Sequence, residues 1–356
     1  MVDKARIGVI GTGWWATTAH LPALKENPDA DLVAIADLRP EVLAKAAAAY
    51  EVDRTYTDYR EMLDREALDG VIISVHHVAH YEVARTCLER DLHMVLEKPM
   101  VLEAVHARDL TELARQRQRE LIVGYPWNFT PHTLRAREVL HSGELGQIRF
   151  INSVFASMVI KFYRGDDGSY GSVFKYPVVG PGDVYSDPAR SGGGQGHLQV
   201  THSAALMFFI TGLKPVQVSA MMDHMDVKVD VIDAMAVRMD NGALASVGST
   251  GTIASGGTDQ LETRVFCDKG WVDVDSLAGA MRICHADGSI EELPSLEGAE
   301  QIYPMHMPSV NLVQVIRGEA ENGSPPEVGW RTVEMLDAAY RSAQQQGQSV
   351  EVASLY

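Results

Sequence analysis

The chain has 356 residues, and its 48 Asp plus Glu outnumber its 31 Lys plus Arg, which gives a formal net charge of −17 at neutral pH. This acidic balance disfavours broad contact with nucleic acid or with an anionic membrane, so an anionic cofactor would need a local binding site. The length favours two domains. Three cysteines far apart in the sequence predict neither a zinc site nor a disulfide framework.

The opening stretch, MVDKARIGVIGTG, has the pattern of a strand and lacks the apolar core of a secretory signal. No segment reaches the roughly 18 continuous apolar residues of a membrane span. We therefore expect a cytoplasmic globular protein.

A glycine-rich turn follows the first predicted strand, ARIGVI. Gly11, Gly13 and Ala16 match the pattern G-x-G-x-x-[G/A], and a helical stretch follows. In dinucleotide-binding proteins the first glycine turns the chain, the second lets the backbone approach a pyrophosphate, and the third position allows close helix packing. Taken by itself, the pattern also fits an ordinary glycine turn.

A second predicted strand, DLVAIAD, ends in Asp37, 21 residues after Ala16. An acid at this place accepts hydrogen bonds from the adenosine ribose of NAD, whereas it would repel the 2′-phosphate of NADP. Arg39 follows closely and would offset part of that repulsion. The sequence therefore favours NAD over NADP.

Predicted strands and helices alternate along the first third of the chain. Buried strands are predicted at GVIISV, HMVLE and LIVGY, with a helix over HYEVARTCLERD between the first two. This alternation predicts a doubly wound parallel sheet, with ligands outside the carboxyl ends of the strands.

Lys98 directly follows HMVLE and is therefore expected at that carboxyl edge. A lysine there could hydrogen-bond a substrate hydroxyl and, with a pKa lowered by burial, help to remove its proton. An ordinary surface lysine at a strand end is the alternative.

The second half contains short strand-like runs bounded by Gly, Asn, Asp and Pro. They are IRFINSVFAS, VQVSAMM, VIDAMAVRM, ALASVGSTG, TRVFCD and WVDVD. Runs of this kind predict a mainly antiparallel sheet.

Several segments together resemble the glucose-fructose oxidoreductase, inositol dehydrogenase and MocA family over essentially the whole chain. They are IGVIGTGWWA, HVAHYEVA, LHMVLEKP and WRTVEMLDAAYRSAQQQGQSVEV, with Asp37. The resemblance implies an α/β Rossmann domain, which we place at 1–123. It also implies an α+β domain with a large, mostly antiparallel sheet at 124–356, a small carbohydrate substrate, and a homodimer or homotetramer.

The segment SGGGQGHLQVTH departs from that family. Relatives continue the glycine-rich stretch with a D-x-G-x-H pattern, whereas this chain has Leu198 in place of the aspartate and retains only His202. The resemblance implies that His202 accepts or relays the proton of the oxidised hydroxyl. A helix N-terminus would bias its imidazole toward the neutral form.

Three side chains are candidates to replace the missing aspartate: Gln195, His197 and Gln199. On a helix, Gln199 lies three residues before His202, and Gln195 lies four residues before Gln199. His197 would reach the imidazole only from a loop. A core role for His202 stays open, because Leu198 and Leu206 lie four residues to either side of it.

Aromatic residues occur where the substrate and the cofactor are expected. Trp127 and Asn128 occupy positions where the family more often has arginine, so they could bind a sugar ring and its hydroxyls. Trp14 and Trp15 follow the cofactor turn. Simple packing is the alternative for all three tryptophans.

The segment from 161 to 194 is predicted to be a substrate-covering loop. Its positive and negative charges are balanced, which favours a solvated surface. Lys175, next to Tyr176, is the one cation we select as a ligand for an anionic sugar.

The turn after the GVIISV strand carries three histidines, yet the resemblance implies no metal. We expect Ser74, His76, His80 and Glu97 to contact the cofactor, with packing as the alternative for His80.

Three functional hypotheses follow. The first is an NAD-dependent dehydrogenase that acts on a sugar, cyclic polyol or glycoside. The second, also implied by the family, is an NAD-dependent glycosidase that oxidises its substrate transiently, and Lys175 would allow that substrate to be an anionic, sulfonated or carboxylated, sugar glycoside. The third is a dinucleotide-binding regulatory protein, against which the retained Lys98 and His202 argue.

Overall fold

The computed structural model describes residues 4–166, 175–254 and 257–356. The first sheet is parallel and has the strand order β3-β2-β1-β4-β5-β6. Its strands are β1 Ala5–Ile10, β2 Ala30–Ala36, β3 Thr55–Tyr56, β4 Gly70–Ile73, β5 His93–Leu96 and β6 Leu121–Val123. The central strands are buried on both faces, which explains their continuous apolar sequences. The predicted doubly wound sheet is confirmed.

Helices cover both faces of this sheet. They are α1 Leu21–Glu26, α2 Pro40–Tyr50, α3 Tyr59–Arg65, α4 His80–Leu88 and α5 Ala104–Arg117. A π-helical turn, Ala16–His20, precedes α1. The chain therefore passes from the glycine turn into a widened turn before it becomes α-helical.

The second sheet contains the order β14-β13-β12-β11-β7-β10-β9-β8-β15. Its strands are β7 Ile148–Ala156, β8 Pro215–Asp223, β9 Ile232–Met239, β10 Leu244–Thr250, β11 Gln260–Cys267, β12 Gly270–Asp275, β13 Ala280–Cys284, β14 Ile290–Glu292 and β15 Val350–Glu351. Neighbouring strands are antiparallel except β7 and β10, which are parallel. The expected mostly antiparallel sheet is confirmed.

The remaining α-helices are α6 Pro131–Ser142, α7 Ile160–Tyr163, α8 Pro188–Ser191, α9 Thr201–Thr211, α10 Ala299–Ile302, α11 Met307–Ile316 and α12 Pro326–Gln344. Short 3₁₀ turns span His77–Ala79, Pro126–Phe129, Val184–Ser186 and Val352–Leu355. Every residue of α9 is buried, because α6, α12 and strand β7 pack around it. This explains why its sequence is apolar on all sides.

One face of the second sheet is covered by helices and the other is open. Phe150, Leu244 and Phe266 lie side by side on β7, β10 and β11 and remain exposed. The rings of Phe150 and Phe266 have centroids 6.1 Å apart. The alternation along these strands therefore leaves an apolar patch on the open face.

The two sheets share helices near the end of the chain. α11 packs against β4, β5 and β6 of the first sheet, and α12 contacts both α5 and the second sheet. The division at residue 123 stays a prediction. Cys87, Cys267 and Cys284 are all free thiols. Within the described ranges, no helix is long and apolar enough to cross a membrane.

Candidate active site

A cavity of about 930 Å³ lies at the carboxyl edge of the first sheet. On one side it is lined by the glycine turn, Asp37, the end of β4 and the end of β5. On the other side it is lined by residues that follow position 125, among them Trp127, Leu198 and His202. The cavity thus brings the predicted cofactor residues and the predicted catalytic residues into one space.

The glycine turn forms part of the cavity wall and fits a dinucleotide. Gly11 has φ of +87°, and a Cβ added there would lie 2.4 Å from the carbonyl oxygen of Ser74, so a side chain is excluded. A Cβ at Gly13 would meet only Arg39, at 3.7 Å from its Nη2. The backbone at Gly13 is therefore open to a ligand in the cavity, as pyrophosphate binding requires.

Asp37 is held in place from two sides. The backbone N–H of Thr12 donates to its Oδ2 at 2.9 Å, and Arg39 Nε donates to its Oδ1 at 3.0 Å. Burial alone would raise the pKa of Asp37, but the hydrogen bonds from Arg39 and Thr12 lower it below its usual value. Asp37 is therefore a fixed carboxylate that lines the cavity together with Arg39.

Glu97 is a second fixed carboxylate, next to the catalytic candidate. Trp15 Nε1 and His20 Nε2 each donate to its Oε1 at 2.9 Å, and the backbone N–H of Lys98 donates to its Oε2 at 3.1 Å. Burial opposes the charge, yet the hydrogen bond and charge of His20 lower the pKa of Glu97. The predicted contact of Glu97 with the cofactor stays a prediction.

Lys98 is half-buried where the two parts of the cavity wall meet. Its Nζ donates to the carbonyl oxygen of Leu198 at 2.9 Å. Burial lowers the pKa of Lys98 to about 8, although the charge of Glu97 acts in the opposite direction. The lysine can therefore exist as a neutral amine near neutral pH, which a surface lysine does not do.

Leu198 explains part of the altered motif. Its side chain packs in an apolar cluster with Trp14 and Tyr185, but its backbone carbonyl binds the lysine. The residue belongs to a π-helical turn, Gly196–Val200, that leads into α9. Turns of this type are frequent at functional sites.

His202 lies in an aromatic environment. Its ring lies 5.1 Å from Trp127, 6.0 Å from Tyr125 and 6.4 Å from Tyr303, measured between centroids. Burial, and then the charge of Lys98, lower the pKa of His202 well below its usual value. The sequence analysis attributed a neutral imidazole at His202 to a helix dipole. In the structure, burial and then the charge of Lys98 favour that neutral form.

None of the three candidate substitutes for the aspartate binds His202 within the described part of the chain. Gln195 accepts a hydrogen bond from Tyr163 and donates to Ser249. His197 lies against Tyr340, with ring centroids 4.5 Å apart, and outside the cavity wall. Gln199 does line the cavity. Among the residues that the structure describes, Nδ1 of His202 has no hydrogen-bond partner.

The carboxylate associated with the glycine-rich segment is Asp230, which lies just before β9. It accepts hydrogen bonds of 2.7 Å from the backbone N–H groups of Gly194 and Gly196, and one of 2.9 Å from Tyr340 Oη. Burial and the nearby Asp230 raise the pKa of Asp233 well above its usual value. No sequence pattern points to Asp230, because it is remote along the chain from the motif that it supports.

Two other predicted substrate ligands do not line the cavity. Asn128 is buried and donates from Nδ2 to Ser324 Oγ, because its short 3₁₀ turn directs it into the protein. Lys175 is exposed, and its backbone carbonyl accepts a hydrogen bond from Thr18. Neither residue is part of the cavity wall, so their roles as substrate ligands stay predictions that this geometry does not support. The predicted loop also includes residues 167–174, which lie outside the described residues.

The aromatic residues predicted as ligands differ in whether they line the cavity. Trp14, Trp15 and Trp127 all line the cavity. Tyr176 lies one layer behind, with its ring 5.9 Å from that of Trp14. Trp14 Nε1 donates to Tyr185 Oη at 3.2 Å, so the cofactor turn contacts the described end of the predicted loop.

The residues at the end of β4 lie where the sequence predicted. Ser74, His76 and His80 line the cavity. Both ring nitrogens of His80 lie within hydrogen-bond distance of carbonyl oxygens, those of Pro99 and Val75, which agrees with a packing role. Burial, followed by the charge of Arg39, lowers the pKa of His76.

Some cavity residues were missed by the sequence analysis. Phe155, Met158, Asp259, Leu277 and Tyr303 line the wall opposite the glycine turn. They come from separate strands and loops of the second half and form no motif in the sequence. Asp259 directly precedes β11, but the strand-like run TRVFCD begins only at Thr263, so no local signal marks it.

Two family profiles match the chain. One describes an oxidoreductase family with an NAD-binding Rossmann fold and matches residues 5–125. The other describes the GFO/IDH/MocA C-terminal domain and matches residues 133–273. Together the two matches span most of the chain and include Lys98 and His202.

Similar proteins include a dTDP-3,4-didehydro-2,6-dideoxy-α-D-glucose 3-reductase of Saccharopolyspora spinosa, 25% identical over 70% of this chain and 69% of that protein. A myo-inositol 2-dehydrogenase of Thermotoga maritima is 28% identical over 40% of this chain and 42% of that protein. Matches to some other curated relatives span 39 to 47% of their lengths. The structure of GenD2 from gentamicin A biosynthesis, solved with NAD, has a TM-score of 0.79 at 21% identity and covers 99% of this chain and 97% of its own. That likeness shows a shared fold.

We predict that Asp230→Asn lowers the free energy of unfolding by about 2–3 kcal/mol, because an amide cannot accept from all three buried donors. Urea unfolding monitored by circular dichroism measures this. Glu112→Gln, on the exposed side of α5, is the control and should change stability by less than about 0.5 kcal/mol. Equal stability of the two variants would contradict the role of Asp230.

Proposed function

Because the chain belongs to the glucose-fructose oxidoreductase, inositol dehydrogenase and MocA family of NAD-binding oxidoreductases, we propose that it oxidises a secondary hydroxyl of a sugar, cyclic polyol or glycoside. The observation that carries this proposal is Lys98, a half-buried amine that donates to the carbonyl of Leu198 and has a pKa of about 8, inside a cavity shared with the glycine turn. The activities for which two relatives are named, on myo-inositol and on a deoxysugar nucleotide, support the substrate class.

Gly11, Gly13 and Asp37 are the residues that would hold the cofactor. NAD, when bound, supplies the acceptor for the hydride that leaves the hydroxyl-bearing carbon. Asp37 favours NAD over NADP in this proposal, because a fixed carboxylate would meet the 2′-phosphate and because Arg39 is already paired with it.

Lys98 is the proton acceptor in this proposal. Its neutral amine can take the proton of the substrate hydroxyl, while the carbonyl of Leu198 fixes the position of Nζ. His202 stays neutral because it is buried, so it can share a hydrogen bond with the same hydroxyl. Tryptophan and tyrosine rings around His202 limit the access of water.

An oxidoreductive glycosidase is the second candidate. Transient oxidation would acidify the neighbouring carbon, a base would remove its proton, and the aglycone would leave with the bonding electrons and take up a proton. Water would then add to the unsaturated sugar, and the ketone would be reduced again. The observation that favours it concerns Leu198, which stands where the family motif has an aspartate. Lys98 is then left as the proton-transfer group, and aromatic side chains in the cavity wall could pack against an aglycone.

We predict different products for the two candidates. With NAD and a panel of p-nitrophenyl glycosides, free sugars and inositols, a dehydrogenase accumulates NADH. A glycosidase releases nitrophenol only when NAD is present and gives no net NADH. Absorbance at two wavelengths reads both products in one assay. A panel that yields neither product would contradict both candidates.

We also predict that kcat/KM for oxidation rises by about tenfold per pH unit below pH 8 and levels above it, because the neutral amine of Lys98 is the active form. Lys98→Arg should reduce kcat by roughly 10²- to 10⁴-fold and abolish this inflection, since arginine keeps its proton. Lys45→Arg, on the exposed side of α2, is the control. An unchanged inflection in Lys98→Arg would assign it to another group.

We further propose that the open face of the second sheet forms a homodimer or homotetramer contact. Phe150 lies at the centre of the exposed apolar patch, between Leu244 and Phe266. Phe150→Asp should therefore reduce the mass measured by light scattering to that of one chain. Leu134→Asp places the same charge on an exposed apolar position of α6 and should not change the mass. A monomeric wild-type protein would contradict the proposal.

A further inference from the structure

The cavity wall contributed by the second half of the chain carries almost no charge. Among the lining residues after position 125 that the structure describes, Asp259 is the one acid, and none is lysine or arginine. A ligand in this part of the cavity therefore meets an isolated carboxylate.

Asp259 lies directly before β11 in the cavity wall, where the backbone of Met158 hydrogen-bonds to it. Its Oδ1 is buried and has no hydrogen-bond partner among the described residues. Burial raises the pKa of Asp259, and a backbone hydrogen bond from Met158 only partly offsets this effect. A carboxylate with so few donors around it gains more than a solvated one when a ligand supplies a donor.

Cations near this region are already engaged. Lys98 donates to the carbonyl of Leu198 and lies close to the charge of Glu97. Arg164 is paired with Asp226, and Arg190 with Asp183, both at the protein surface. An anionic substituent on the substrate would thus approach the Asp259 carboxylate with no unpaired cation in the described part of the cavity wall to bind it. The binding of such a substrate is therefore disfavoured.

We propose that Asp259 is a specificity-determining residue that accepts a hydrogen bond from a hydroxyl or a protonated amine of the substrate. The site then selects amine-bearing and uncharged sugars or cyclitols over anionic ones. This inference rests on the proposed function for its substrate class. It replaces the sequence-based hypothesis of an anionic sugar bound by Lys175.

The test uses matched sets of a sugar, its amino sugar and its uronic acid in the gluco, galacto and manno series. Calorimetry with the NADH-loaded protein measures their binding, because that complex cannot oxidise them. We expect the amino sugar of the preferred series to bind most tightly and the uronic acid most weakly. Asp259→Asn should weaken amino-sugar binding by roughly 10- to 100-fold, and it should bring the amino sugar and the uronic acid within about threefold of each other.

Asp240→Asn is the control, since Asp240 lies exposed in the turn between β9 and β10 and an amide can still accept the N–H of Lys214. A purely structural defect in Asp259→Asn would weaken all three ligands alike and leave their ratios unchanged. Such a result, or tightest binding of the uronic acid to the wild-type protein, would overturn the inference. Binding that depends on Asp259, with no NADH formed from NAD and any sugar, would instead count against the proposed function alone.

Discussion

The hydrogen bond from Lys98 to the carbonyl of Leu198 joins the two parts of the site. A buried ammonium group loses the solvation of water, so it requires a precisely placed acceptor or it gives up its proton. Here one neutral acceptor and the nearby Glu97 compensate only in part, and the pKa falls to about 8. The edge of the first sheet and the start of α9 must therefore keep a fixed distance for the lysine to retain its proton affinity.

The glycine-rich segment meets this requirement through its backbone. Asp230 binds the N–H groups of Gly194 and Gly196, and Tyr340 of α12 donates to the same carboxylate. A Cβ at Gly194 would lie 2.0 Å from the carbonyl oxygen of Asp230, so the close approach requires glycine. The acid of this region thus anchors the turn that carries Leu198, instead of contacting His202.

The sequence predicts well what depends on local pattern. The glycine turn, Asp37 and Lys98 lie where expected, because each is placed by the strand that precedes it and parallel strands end at a common edge. Asn128 and Lys175 do not line the cavity, since their positions depend on the packing of a short turn and of a surface loop. Leu198 was judged by its side chain, whereas its carbonyl makes the contact. The second sheet brings Asp230 to the glycine-rich segment and Asp259 to the cavity wall. No local sequence pattern predicts either placement.

The cavity wall contributed by the second half of the chain carries few charges, and this determines how strongly the remaining charges in the cavity act. Apolar and aromatic side chains such as Trp127 and Tyr303 exclude water, and each electrostatic interaction in the cavity is strengthened as a result. In such surroundings His202 stays neutral and Lys98 holds its proton weakly, so a small change in the environment of either group alters proton transfer. A substrate that brings its own negative charge would increase the proton affinity of Lys98 and weaken it as a base. An uncharged ring leaves that affinity near neutral pH, where a lysine can both accept and return a proton.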